Sequence, residues 1–182
     1  MTGSTLASAA ADREPASEAG ADASRDAEVR ALHSSARRVS LALAVVAVPA
    51  FLEGAALLEG PGDGMRLAAI ALLGLAGSSV GALTSLLARY SAGFELANGE
   101  RVPPAAEGAL YHRRIAFCFV MRPVLGVLVA PLIVGGVTLF MSRHEDFENS
   151  VNAMMLVSFV GGLYAKSVLE AAKSAFKVVF RA

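Results

Sequence analysis

Apolar and polar residues separate along this chain into long blocks rather than alternating within short ones. A membrane span needs about 20 mainly apolar residues. Four windows meet that requirement: 39–58, interrupted by Glu53; 67–88, which carries no charge; 115–141, broken only by Arg122; and 151–169, which ends around Lys166. The pattern predicts an all-α integral membrane protein with four transmembrane helices. Gly60-Pro61-Gly62-Asp63-Gly64 predicts a tight turn between the first two spans, and Asn98-Gly99 and Pro103-Pro104 break the longer second loop.

The flanks read differently. Residues 1–36 are mostly Ala, Ser, Asp, Glu and Arg, with Leu6, Val29 and Leu32 among the few larger apolar side chains. Such a segment buries too little surface to offset its ordering entropy, so it predicts a disordered cytoplasmic tail, with a transient helix over 22–35. It has no basic start with an early apolar stretch, so no secretory signal is expected. At the other end, Val168, Leu169, Ala172, Phe176, Val179 and Phe180 recur at helical spacing. Lys166, Glu170, Lys173, Lys177 and Arg181 fall largely between them. This predicts a basic amphipathic helix over 170–182 that continues the fourth span and lies along the inner leaflet, in contact with anionic lipid. The expected organisation is a tail over 1–36, a four-helix transmembrane domain over 37–169 and the amphipathic helix.

Composition agrees with this class. The 182 residues are 55% hydrophobic and 18% charged, against about 45–50% and about 25% in soluble domains. Sixteen basic and sixteen acidic side chains cancel, which excludes a uniformly basic nucleic-acid binder. Along the chain, however, the basic residues are strongly biased. Arg13, Arg25, Arg30, Arg37 and Arg38 precede the first span, and Arg89, Arg101, Arg113 and Arg114 occupy the second loop. Lys166, Lys173, Lys177 and Arg181 follow at the end, whereas the first and third loops hold only Arg66 and Arg143. By the positive-inside rule both termini face the cytoplasm, as a multi-pass protein of the cell inner membrane. Glu59, Asp63, Glu145, Asp146 and Glu148 then lie outside. Screening within about 8 Å favours their reading as ordinary polar loop residues over a cation-gathering vestibule.

Two charges stand inside spans, where insertion costs at least about 2.5–3.5 kcal/mol at the centre. Glu53 lies about 21 Å along its span and Arg122 about 10 Å along its own, so the two are poorly placed to pair. Glu53 is the candidate for proton, ion or substrate binding, with an outer-interface residue as the plainer alternative. Arg122 forms an expected inner-interface cluster with Lys166 and Glu170, pairing with the latter or reaching for lipid phosphates. Pro123 frees a carbonyl one turn back. Gly77, Gly81 and Ser85 repeat every four residues and predict a close helix contact, with Gly126, Ala130 and Gly162 as facing surfaces. Pro131, Gly135 and Gly136 are candidate kink positions.

Candidate chemistry beyond this is sparse. Cys118 is read as a small apolar filler, and Ser78 and Ser79 as packing polar residues. His33, His112 and His144 lack ligand-spaced neighbours, so no metal site is implied. No Walker loop, nucleotide-binding glycine pattern, HExxH or GxSxG occurs. The expectation is a non-enzymatic protein without a cofactor or catalytic residues.

MRPVLGVLVAPLIVGG followed by FVGGLYAKSVLEAAKSAFKVVF resembles a pattern in small, largely uncharacterised bacterial four-helix membrane proteins. In these an Arg-Pro-x-x-Gly helix precedes a Phe-x-x-Gly-aromatic helix and an amphipathic end. Arg122, Pro123 and Gly126 match the first motif, and Phe159 and Gly162 the second. Leu163 replaces the usual aromatic, and Ala165-Lys166 replaces a charged pair. The likeness covers residues 77–180 and implies the fold without an activity. The functional expectation is a structural, accessory or channel-like module. It is expected to act as a homo-oligomer or beside a partner membrane subunit, because four helices bury little polar machinery. The alternative is a small proton-coupled transporter using Glu53, as four-span multidrug exporters use a Glu in their first helix; this chain is much longer and has no Trp.

Overall fold

The structure, a computed structural model, describes residues 14–60, 62–104, 107–141 and 150–179. It is all-helical apart from one very short hairpin. Helix α1 runs Glu14–Leu58, α2 Asp63–Ala92, α3 Arg113–Met141, α4 Val151–Leu163 and α5 Ala165–Val179; strands β1 (Phe94–Glu95) and β2 (Arg101–Val102) lie between α2 and α3. Three helices are long and apolar enough to cross a membrane, and α4 with α5 makes a fourth if the bent pair counts as one span.

Helix α2 is the hub. It packs on α1, α3 and α4, and its most apolar stretch is 56% buried, against 28% for α1 and 33% for α3. Small residues make this possible. A Cβ added to Gly74 would collide with the Gly126 carbonyl and the Ala130 side chain, and one added to Gly162 would collide with the Gly74 backbone. Backbones of α2, α3 and α4 therefore meet around one point. Gly77 sits equally close to the Phe159 carbonyl, and a Cβ at Gly81 would lie 2.8 Å from the Leu163 carbonyl. Close approach of this kind maximises dispersion contact where lipid supplies no hydrophobic drive.

Two apolar clusters cap this junction. At one end Leu58, Ala69, Ile70, Leu73, Ala130, Val134 and Met154 pack together. At the other, Leu32, Ala36, Leu43, Ala82, Leu86, Phe94, Leu96, Tyr111 and Phe119 form a second core. That second core corrects the expected tail. Helix α1 begins at Glu14 and carries no break before the first apolar window. The reason is a stripe at spacings of three and four: Val29, Leu32, Ala36, Val39 and Leu43 all pack into this cluster. Within the tail, residues 1–13 lie outside the described residues.

The second loop is likewise organised. Phe94 pairs with Val102 and Glu95 with Arg101 in antiparallel register, and Phe94 bridges to Tyr111 on its other side. Gly93 ends α2 at φ 121° and donates its N–H to the Arg89 carbonyl at 3.2 Å. A side chain there would be strained by the positive φ and would press on the Val102 carbonyl.

The expected fourth span over 151–169 is bent, and counts as a span only if α4 and α5 are taken together. Ser150 caps α4 by accepting from Ala153 N–H at 3.3 Å. The helix then stops at Leu163, and α5 leaves at 70°. Thirteen residues in α4 rise only about 20 Å, short of a bilayer core of about 30 Å. The amphipathic helix thus starts at Ala165 rather than Glu170. Residues 142–149, which include Glu145, Asp146, Glu148 and His144, lie outside the described residues, as do residues 180–182.

Candidate functional site

Arg122 is tied to α2 at two atoms. Its Nη1 donates to Ser85 Oγ at 2.8 Å, and Ser85 Oγ in turn donates to the Gly81 carbonyl at 2.8 Å. Ser78 Oγ donates to the Arg122 carbonyl at 2.7 Å. Each hydroxyl uses its donor, and the carbonyl has a second lone pair to receive it. The half-buried guanidinium is held by α2, the helix whose glycines admit α4 one turn away. Glu170 on α5 acts on Arg122 electrostatically, but no direct ion pair joins the two. Glu170 instead pairs with Lys166 at 3.6 Å, both side chains exposed. The expected cluster is thus split: Arg122 bonds within the bundle, while Lys166 and Glu170 pair on the surface of α5.

Glu53 is exposed on α1 and has no ion-pair partner among the described residues. It does not meet Arg122. Cys118 is exposed on α3 rather than buried as filler. Ser79 and Ser158 are buried and satisfy their hydroxyls on the carbonyls of Leu75 and Met154, four residues back. Among the described residues no group of three His, Cys, Asp or Glu stands together as for a metal ion.

The predicted packing residues separate by partner. Gly77 and Gly81 face α4, while Ser85 faces α3 through Arg122. Gly126 and Gly162 converge on Gly74, which the four-residue repeat from Gly77 omits although it lies close to the centre of the junction. Its signal was available: Gly74 precedes Gly77 by three, so it lies on the same face.

A second constellation forms a compact head where the extension of α1 meets the hairpin. His33 Nδ1 and Tyr90 Oη are hydrogen-bonded at 2.6 Å, and Ser35 Oγ and Tyr111 Oη at 3.1 Å. The His33 ring lies 4.6 Å from that of Phe94, which meets Tyr90 and Tyr111 edge-on. Glu28 Oε1 accepts from Ala97 N–H at 2.7 Å, and Arg25 pairs with Glu100 at 2.9 Å. Tyr111 is fully buried. Beside this head lies a cavity of about 990 Å³, whose wall includes Arg38, Arg113, Arg114 and His112 with Leu32 and Leu96. His112 Nδ1 accepts from Arg114 N–H at 3.0 Å.

The head was the main omission of sequence reasoning. Its signals were the Asn98-Gly99 turn between Phe94 and Val102 and the 29-32-36-39-43 stripe. In comparisons with protein-family models, curated proteins and solved structures, nothing matches the chain.

Proposed function

We propose that the protein is a non-enzymatic integral membrane module, a structural or accessory subunit that presents its hairpin head at the cytoplasmic face of the inner membrane. The carrying observation is the convergence of Gly74, Gly126 and Gly162, which brings three helix backbones together in the middle of the bundle. At this junction the backbones lie too close for a passage of side-chain width between them, which supports a scaffold over a conduit there. The outer faces are correspondingly apolar: Leu41, Val45, Val48 and Leu52 on α1, and Phe117, Leu128 and Leu132 on α3, are exposed. Patches of this kind belong against lipid or another membrane subunit. The basic flank of α5, set at 70° to α4, suits anionic inner-leaflet lipid.

The transporter alternative rests on Glu53, which stands on the outside of α1. A path through this carboxyl would need a second copy to enclose it. Purification from native membranes after mild crosslinking tests the main reading, which expects a defined homo-oligomer or a stoichiometric membrane partner. Proteoliposome flux and single-channel recording supply the counter-test. Proton-coupled transport abolished by Glu53→Gln, or a steady unitary conductance, would replace the scaffold reading.

A further inference from the structure

The cavity beside the head lies where two apolar runs begin. Arg38 immediately precedes the first window at 39, and Arg113 and Arg114 immediately precede the third at 115. All three line the same cavity, with His112, Ser34 and Ser35. The helices that carry them, α1 and α3, meet in the head core, where Leu32, Ala36 and Leu43 of α1 pack with Phe94, Leu96 and Tyr111 and with Phe119 of α3.

The three guanidinium groups have no carboxylate partner and donate no side-chain hydrogen bond among the described residues. Two other arginines of the head are engaged: Arg25 pairs with Glu100, and Arg89 donates to the Leu110 carbonyl at 3.4 Å; Arg101, exposed on the hairpin, lies outside the cavity wall. Two carboxylates also line the cavity. Glu28 is engaged by the Ala97 N–H, and Glu95 is exposed. The three arginines are exposed, and arginines lining one cavity raise the local concentration of anions there. Arg forks match the oxygen geometry of a phosphoryl group, to which they donate in pairs. Leu32 and Leu96 are buried in the wall and Val39 is partly buried, so apolar surface adjoins the charge. The volume lies within the range of small-molecule sites, about 300–1,000 Å³.

The geometry points to a binding site for a phosphoryl anion in this cavity, held by Arg38, Arg113 and Arg114, with an anionic phospholipid headgroup as the source that the adjoining apolar wall favours. A bound headgroup would join α1 to α3 through their interfacial arginines and brace the head against the bilayer. The inference rests on reading the chain as an integral membrane protein, and it adds a specific site to the diffuse lipid contact of α5.

The test uses the purified full chain in a neutral detergent. Native mass spectrometry and thermal shift are measured with short-chain phosphatidic acid, phosphatidylglycerol, phosphatidylcholine and inorganic phosphate. Binding of the anionic lipids over phosphatidylcholine, weakened about tenfold or more by combined Arg38→Gln, Arg113→Gln and Arg114→Gln, supports the lipid source. Inorganic phosphate that binds as tightly and is lost in the same variant supports the site with a soluble phosphate as its ligand. Arg101→Gln, on the hairpin but outside the cavity wall, serves as the charge control. Equal binding of anionic and zwitterionic lipids, together with no phosphate binding, overturns the proposal. So does a triple variant that binds like the Arg101→Gln protein. Because removing three charges together can unseat the head, Arg38→Gln is measured alone with its helix content checked by circular dichroism. A folded Arg38→Gln protein with unchanged binding is also a refutation. Alkaline extraction of native membranes separates the two levels: release of the chain refutes the membrane reading, whereas retention without anion preference refutes only the site.

Discussion

Arg122 illustrates how a membrane bundle tolerates one cation. The guanidinium is not neutralised by a neighbouring carboxylate; it donates to a serine hydroxyl on the hub helix, which in turn donates its own hydrogen bond to the Gly81 carbonyl. A hydrogen bond to a charged group contributes about 1.5–3 kcal/mol. We expect Ser85→Ala and Arg122→Met each to lower the melting temperature in detergent. A double-mutant cycle should show coupling of about 0.5–3 kcal/mol. Additive effects would mean that Ser85 does not hold the guanidinium. The span position of Arg122 was plain from the sequence, as was the poor match in depth with Glu53. Its partner was not. The four-residue repeat signals the small size of Ser85, while the use of its hydroxyl depends on a residue 37 positions away.

At the scale of elements, two segments changed between pattern and fold. Helix α1 extends to Glu14 because the stripe from Val29 to Leu43 has a surface to cover, namely the hairpin and Tyr111. An Ala-rich helix with few large apolar residues is marginal alone, so its order depends on a contact partner more than sixty residues away. We expect Leu32→Asp to undock this extension, which increased proteolysis between residues 20 and 36 and lost hydrogen-exchange protection at Tyr111 would report. The fourth span is divided at Tyr164, a break that hydropathy alone does not mark. The glycine contacts behave as a junction rather than a seam. Gly74→Leu should prevent assembly of α2 with α3 and α4, since overpacking costs about 1–3 kcal/mol even where neighbours yield, and here the neighbours are backbone. Gly135→Leu, with open space around it, should melt within about 0.5 kcal/mol of the wild type. Equal loss in both variants would remove the junction from the account of stability.

The whole molecule is asymmetric from end to end. Arg38, Arg113 and Arg114 share one cavity, and Arg25 and Arg89 bond into the same head. Structure therefore gathers in one head five of the basic residues that the positive-inside rule assigns to the cytoplasm. Single cysteines introduced at Ser4, Gly99 and Asp63, each in a Cys118→Ser background, provide the check. Membrane-impermeant labelling of intact cells should reach Asp63→Cys, while Ser4→Cys and Gly99→Cys require permeabilised cells. Labelling of Asp63→Cys and Gly99→Cys from the same side would overturn the four-span topology.

Long apolar windows, their number, the positions of the second and third helices and the bias of basic residues are properties of the chain read one residue at a time. They depend on length, hydropathy and local turn chemistry, so the amino-acid sequence alone determined an all-helical, membrane-compatible architecture. Partners depend on residues far apart in the chain, and only the tertiary structure decided them. It set Gly74 at the convergence of three helices and bound Arg122 to Ser85. It turned Glu53 to the outside, ended α4 at Leu163, and folded the second loop onto α1 to bring three unpaired arginines around one cavity. The physical reason is that hydropathy is summed over neighbours in sequence, whereas close packing and hydrogen bonding are settled between neighbours in space.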